Sequence, residues 1–330
     1  MSPRPANEWH EAPDPAIYDR VGAEVDRLYG LGDYKDAYRL LDETWPGLPG
    51  ETLHPRMHEV LLFKIYVLAH MGCVQETLAA IRVMHRLGYS CGLSWKVFDP
   101  IRTFDGYDEV ERENDRLLAI AKEEASFQVD VRLPADYDPD VSYPLALVLH
   151  GDGSNRANVQ QFWKPDAMLE RGYIVAYPQS SQVVFTEHFA WLPDPAIAWK
   201  EVRACYDELC AKHKIDPTSL VLCGFSGGAI TTVDLVFGEA LPATSFICLC
   251  PEYKPEHFTP EAVAKAVERG VRGAFLEGSL VWPLDDEREM FEILQAEGLP
   301  IELILNKGFG HAAPPDFGDK LKQALDFVLT

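Results

Sequence analysis

The chain has 330 residues, 47% of them hydrophobic, enough for two packed domains of ordinary size. Its formal charge is −22, from 30 Lys+Arg against 52 Asp+Glu, which argues against binding a nucleic-acid backbone or an anionic membrane surface. The longest apolar stretch, Val60 to Met71, is broken by Lys64 and His70, so no membrane span is expected.

The first residues, MSPRPANEWHEAPDP, carry no apolar core, so no secretory signal is read there. The seven Cys are an odd number without a CxxC pair, and Cys223, Cys248 and Cys250 lie in apolar runs. That pattern predicts free, buried thiols in a reducing cytoplasm, and neither a cysteine zinc site nor any other cofactor. His54 and His58 stand four apart, but without a third ligand nearby they read as a solvated or satisfied pair.

Residues 1–122 read as an all-helical N-terminal domain. Val21, Val25, Leu28 and Tyr29 recur at helical spacing, then Leu31-Gly32-Asp33-Tyr34 makes a turn into a second helix through Ala37, Leu40 and Leu41. Forty residues on, Ile65, Tyr66, Leu68 and Ala69 precede Met71-Gly72-Cys73-Val74, and Leu78, Ile81 and Met84 follow. Gly32 and Gly72 occupy matching turn positions. The pattern resembles tetratricopeptide-type helix pairs, which implies a surface for a peptide, a protein partner or self-association. Equally, such a domain would limit which substrates reach its neighbour.

Residues 123–330 change texture to alternating strands and helices. Phe127, Val129, Val131 and Leu133 alternate with polar residues, as in a half-buried strand. The run Pro144–Leu149 is continuously apolar, as in a strand covered on both faces. Further strands are predicted over Tyr173–Ala176, Leu220–Cys223, Ser245–Leu249, Gly273–Leu276 and Ile301–Leu305. Helices are predicted over Ala196–His213, Gly227–Phe237, Asp286–Ala296 and Phe317–Leu329. This order implies a mostly parallel central sheet with helices on both faces.

Three local patterns carry chemistry. Gly224-Phe225-Ser226-Gly227-Gly228 lies between an apolar strand and a helix. A tight turn there, cleared by glycines, lifts the Ser226 hydroxyl clear of the sheet at a helix N-terminus, where developing negative charge is favoured. His150-Gly151-Asp152-Gly153 follows the strand ending at Leu149, and its glycines let the backbone approach a ligand. His311, in Lys307-Gly308-Phe309-Gly310-His311, follows the last strand, and a neutral imidazole there can exchange a proton with Ser226.

Together with Arg132-Leu133-Pro134-Ala135-Asp136-Tyr137-Asp138 and Tyr143-Pro144-Leu145, these motifs resemble the esterase branch of the α/β-hydrolase superfamily, of phospholipase/carboxylesterase and predicted-esterase type. The resemblance covers roughly residues 124–330. It implies a serine hydrolase for small-molecule esters, with Ser226 as nucleophile and His311 as general base. The oxyanion hole would be formed by the N–H groups of Gly227 and Asp152. A carboxylate facing an oxyanion would oppose it, so the Asp152 side chain is expected to point away and bond the loop. The family places an Asp three residues after the Gly that ends the penultimate strand, and here that position holds Val281. Asp285 is taken as the acid, with Asp286, Glu252 and Glu277 as alternatives, while Asp285 or Asp286 also suits a helix N-cap. Trp163, Phe185, His188, Phe189, Trp191 and Trp282 lie near strand ends, and Trp191 and Trp282 are taken as substrate-binding residues. The alternative function is a weak or inactive hydrolase scaffold whose helical domain binds a partner.

Overall fold

The structure is a computed structural model that describes residues 9–251, 259–280 and 284–330, with side chains in the last stretch from residue 288. The chain divides into two compact units, Met1–Glu124 with Val184–Thr186, and Ala125–Val183 with Glu187–Thr330.

The first unit holds helices α1 (Pro15–Gly30), α2 (Tyr34–Thr44), α3 (His58–His70), α4 (Val74–Arg86) and α5 (Tyr107–Glu124). Asp14 starts α1 by accepting the Ala16 N–H on its side chain, with Pro15 at the first helical position. The two hairpins, α1–α2 and α3–α4, turn in the same way. Asp33 N–H reaches back to Leu28 O, and Cys73 N–H to Leu68 O, around left-handed Gly32 and Gly72. Val21, Val25, Leu28, Ala37, Leu41, Leu61, Ile65, Leu68, Leu78 and Ile81 fill one core. Phe185, one of the aromatic residues near strand ends, lies in this core, and Ser90 and Thr186 exchange hydrogen bonds beside it.

Lys64, the charge that interrupts the apolar stretch of α3, is fully buried. Its ammonium donates to Asp42 Oδ1 and Gly47 O, both at 2.9 Å, and to Trp45 O, and it lies 5.3 Å from the Trp9 ring centre. Burial lowers its pKa, and Asp42 partly opposes that shift. His58 donates its Nδ1–H to Pro55 O, and its ring stacks on Tyr89.

The second unit is built on a seven-stranded sheet. Its strands are β1 (Gln128–Arg132), β2 (Tyr143–Leu149), β3 (Ile174–Gln179), β6 (Ile215–Phe225), β7 (Ser245–Leu249), β8 (Arg272–Gly278) and β9 (Ile301–Asn306). The order is β1-β3-β2-β6-β7-β8-β9, parallel throughout except for β1 on β3. Two short strands, β4 (Val183–Phe185) and β5 (His188–Phe189), form a separate ribbon.

Both faces of the sheet are covered, which is why its strands read as apolar runs. Leu145, Leu147 and Leu149 of β2 point to one face and pack with α8 (Pro195–Lys212), α9 (Gly227–Phe237), α10 (Pro260–Glu268) and α11 (Leu284–Ala296). Ala146 and Val148 point to the other, with α6 (Arg156–Phe162), α7 (Asp166–Leu169) and α12 (Phe317–Val328). Each fully buried Leu of this kind contributes about 2 kcal/mol of hydrophobic stabilisation. All seven cysteines are free thiols, and Cys223, Cys248 and Cys250 are buried. Among the described residues no helix is long and apolar enough to cross a membrane.

Candidate active site

The centre of β6 is an apolar strand whose last residue, Phe225, hands over to Ser226 and then directly to α9. Ser226 has φ 53° and ψ −122°, a backbone conformation that costs a non-glycine residue roughly 1–3 kcal/mol. The surroundings hold it there. Its N–H donates to Leu249 O at 3.0 Å, and its carbonyl accepts from Ala229 N (2.8 Å) and Ile230 N (3.0 Å). The neighbouring glycines are required by crowding. A Cβ on Gly224 would stand 2.3 Å from Gly228 O, and one on Gly228 would stand 2.3 Å from His150 O. As the first residue of α9, Gly227 has an N–H with no carbonyl one turn back to accept it.

His311 reaches Ser226 from the loop after β9. Gly308 N–H donates to Ser279 Oγ (2.9 Å), and Leu280 N–H donates to Phe309 O (3.0 Å), tying this loop to the end of β8. Gly278 lies so close that a Cβ there would be 2.1 Å from Gly310 O. The result is a 2.8 Å hydrogen bond between His311 Nε2 and Ser226 Oγ. The Phe225 ring lies 5.2 Å from the imidazole, centre to centre. The residue is exposed, yet the protein around the ring pushes its pKa from 6.5 down to about 4. Its contact with water moderates the effect, and the direction favours a neutral ring able to accept a proton.

The His150–Asp152 loop closes the third side. His150 is fully buried, and burial pushes its pKa down to about 4, against the opposing bond to Gly151 O. Its Nε2 accepts the Ser180 N–H at 3.3 Å, so Nδ1 carries the proton and donates to Gly151 O at 2.8 Å. Asp152 departs from expectation in part. Its Oδ1 does bond the fold, accepting the Trp191 N–H at 2.8 Å. Its side chain does not point away, because a Cβ on Gly227 would stand only 2.2 Å from that same oxygen. The carboxylate occupies the space that Gly227 leaves empty.

Trp191 is placed differently from its expected role as a pocket wall. It is fully buried, and its indole Nε1–H donates to His150 O at 2.9 Å. Trp163 is likewise buried, within the core against Phe317. Trp282, Val281 and Glu252 lie outside the described residues. Asp285 and Asp286 fall in the first turn of α11, and their side chains lie outside the described residues too.

Glu277 is fully buried in β8. The pairings Phe225↔Leu249 and Leu249↔Leu276 bring the next residues, Ser226, Cys250 and Glu277, to one level across three strands. Two strand spacings separate Ser226 from Glu277, about 10 Å along the hydrogen-bonding direction. Cys248, on the adjoining strand, has its thiol pKa raised by burial, with further contributions from Cys223 and Glu277. Cys250 has φ 49°, a second left-handed residue at the level of Ser226 that no sequence signal announced.

No family model matches the chain, and no curated protein sequence matches it. Among solved structures it is similar to an uncharacterized protein from Bacillus cereus ATCC 10987, with TM-score 0.53 and 20% identity over 94% of this chain and 98% of that one. That likeness concerns the fold. Lower-scoring neighbours are esterase 2 of the Planctomycetes species Thermogutta terrifontis (TM-score 0.48, 15% identity, 63% of this chain and 88% of that) and esterase PE8 (TM-score 0.48, 19% identity, 62% and 99%).

Proposed function

We propose that the chain is an α/β-hydrolase-fold serine hydrolase that cleaves carboxylic esters through an acyl-enzyme. The observation that carries this reading is the 2.8 Å Ser226 Oγ to His311 Nε2 contact, made from a strained turn between strand and helix. In this reading Ser226 Oγ attacks the ester carbonyl while its proton passes to His311 Nε2. The oxyanion is held by the N–H groups of Gly227 and Asp152. Collapse of the tetrahedral species returns the proton from Nε2 to the departing alcohol and leaves an acyl group on Ser226. Water, deprotonated by the same nitrogen, then releases the acid.

The carboxylate that orients His311 is drawn from the β8–α11 side of the site. Support for Glu277 comes from its burial and its level with Ser226, and support for Asp285 from its place just after the strand that neighbours β9. Glu277→Gln and Asp285→Asn separate them, since loss of the orienting carboxylate lowers kcat by about 10⁴-fold in the best-known triad.

Native protein is expected to be labelled at Ser226 by a fluorophosphonate and to hydrolyse short p-nitrophenyl esters, with both activities lost in Ser226→Ala. Wild-type protein that takes no label ends this reading. A second reading, a scaffold whose helical unit binds a protein partner, is favoured by Val281 at the family's acid position. Ester hydrolysis that depends on Ser226 removes it.

A further inference from the structure

Trp191 has two N–H groups, and both are used on one short loop. The indole Nε1–H bonds His150 O at 2.9 Å, and the main-chain N–H bonds Asp152 Oδ1 at 2.8 Å. These bonds straddle Gly151, so a single residue grips the loop on either side of the peptide that leads into the Asp152 N–H. The following residues are gripped as well. Gly153 N–H donates to Phe189 O at 2.9 Å, and Phe189 N–H donates to Ser154 O at 2.8 Å. On the opposite side the Asp152 side chain abuts Gly227, where a Cβ would meet Oδ1 at 2.2 Å. A fully buried indole exposes no face to a substrate, so this Trp acts on the loop.

We infer that Trp191 and the Asp152 carboxylate form a positioning clamp that aims the Asp152 main-chain N–H at the oxyanion formed on Ser226. The inference rests on the serine-hydrolase reading above. It explains a carboxylate in a site that must stabilise negative charge. Oδ1 is the acceptor that fixes the loop, and the electrostatic opposition is tolerated because the aim of the N–H matters more. An oxyanion donor acts in the transition state, so a misaimed loop lowers kcat and leaves KM for a neutral ester in place.

The test is acylation by p-nitrophenyl acetate, followed by stopped flow, in full-length wild type, Asp152→Ala, Asp152→Asn and Trp191→Phe. Asp152→Ala removes the acceptor and is expected to slow acylation about 30-fold at unchanged KM, short of the loss of an entire donor. Asp152→Asn retains an acceptor oxygen for the Trp191 N–H and removes the charge, so it is expected to recover the rate to wild type or above. Trp191→Phe loses only the indole bond to His150 O and is expected to slow acylation about fivefold. Affinity for a trifluoromethyl ketone should fall in parallel with the acylation rate.

Wild-type acylation in Asp152→Ala overturns the inference, as does equal loss in Asp152→Ala and Asp152→Asn, or a change in KM alone. If Asp152→Ala does not fold, Trp191→Phe decides, and an unchanged rate there overturns the clamp. Wild-type protein that neither labels at Ser226 nor hydrolyses esters fails the serine-hydrolase reading and takes the inference with it. Active wild type with unaffected variants fails the clamp alone.

Discussion

The glycines of the two helical hairpins and those beside Ser226 are needed for opposite reasons. At Gly32 and Gly72, in the helical hairpins, φ is +76° and +69°, and an added Cβ would meet nothing within 4 Å. The backbone conformation selects glycine there, and the space around it is open. At Gly224 and Gly228, beside Ser226, no left-handed φ is involved, and an added Cβ would strike backbone atoms at 2.3 Å. The residue between them that does adopt a left-handed φ is Ser226, with a side chain. The helical turns relieve strain with glycine. The turn at Ser226 retains the strain of a left-handed residue with a side chain, and its glycines serve close approach instead.

Substitution breaks or upholds this contrast. Gly228→Ala is expected to be the most damaging, at about 3 kcal/mol or more, since Leu149 O belongs to the sheet and His150 O is held by the Trp191 indole. Gly72→Ala should cost about 1–2 kcal/mol, the strain of a left-handed alanine in free space. Urea denaturation compares them, and equal losses would mean that crowding around the elbow is relieved by small shifts.

Acid sharpens the contrast between the units. His150 has its pKa lowered from 6.5 to about 4, whereas His70 and His85 of the helical unit are lowered, by burial first, without so large a displacement. A depressed imidazole pKa means that the unfolded chain binds the proton first. Its stabilising contribution is therefore complete above pH 6.5 and is lost as pH falls toward 4, up to about 3 kcal/mol for His150. Denaturation midpoints at pH 7 and pH 5 should fall more steeply for the sheet unit, and tryptophan and far-ultraviolet probes would follow the two units. A uniform loss would assign the acid sensitivity elsewhere.

The smallest effect concerns Ser226 itself. Ser226→Gly is expected to stabilise the protein by about 1 kcal/mol by removing left-handed strain, while abolishing fluorophosphonate labelling. A destabilised Ser226→Gly would show that the hydroxyl contributes more to the fold than its φ costs.

Much of the second unit was legible because local patterns carry it. The run Tyr143–Leu149 is apolar because both faces of β2 are covered, and the glycines around Ser226 lie close in sequence to the strain they accommodate. The strand leading into Ser226 proved longer than its apolar segment, since Ile215–Ser219 pair or extend before the core begins. Helices α6 and α7 are too short to show an apolar period, whereas α10 carries one in Ala262, Val263, Ala266 and Val267. The single cut after residue 122 could not anticipate Val184–Thr186, because three residues carry no periodicity and their neighbours are distant in sequence.

The sequence by itself determined the nature of the turn at Ser226, the glycines it needs, the loop at His150 and the placement of His311 after the last strand. Each of these depends on steric and capping rules that act within a few residues. Only the tertiary structure decided what surrounds them. It buried Trp191 and joined it to both sides of Gly151, set the Asp152 carboxylate against Gly227, and brought Glu277 level with Ser226 through strand register. Those relations arise from pairing and packing between residues 39 to 75 positions apart in the chain and beyond, where no local rule operates.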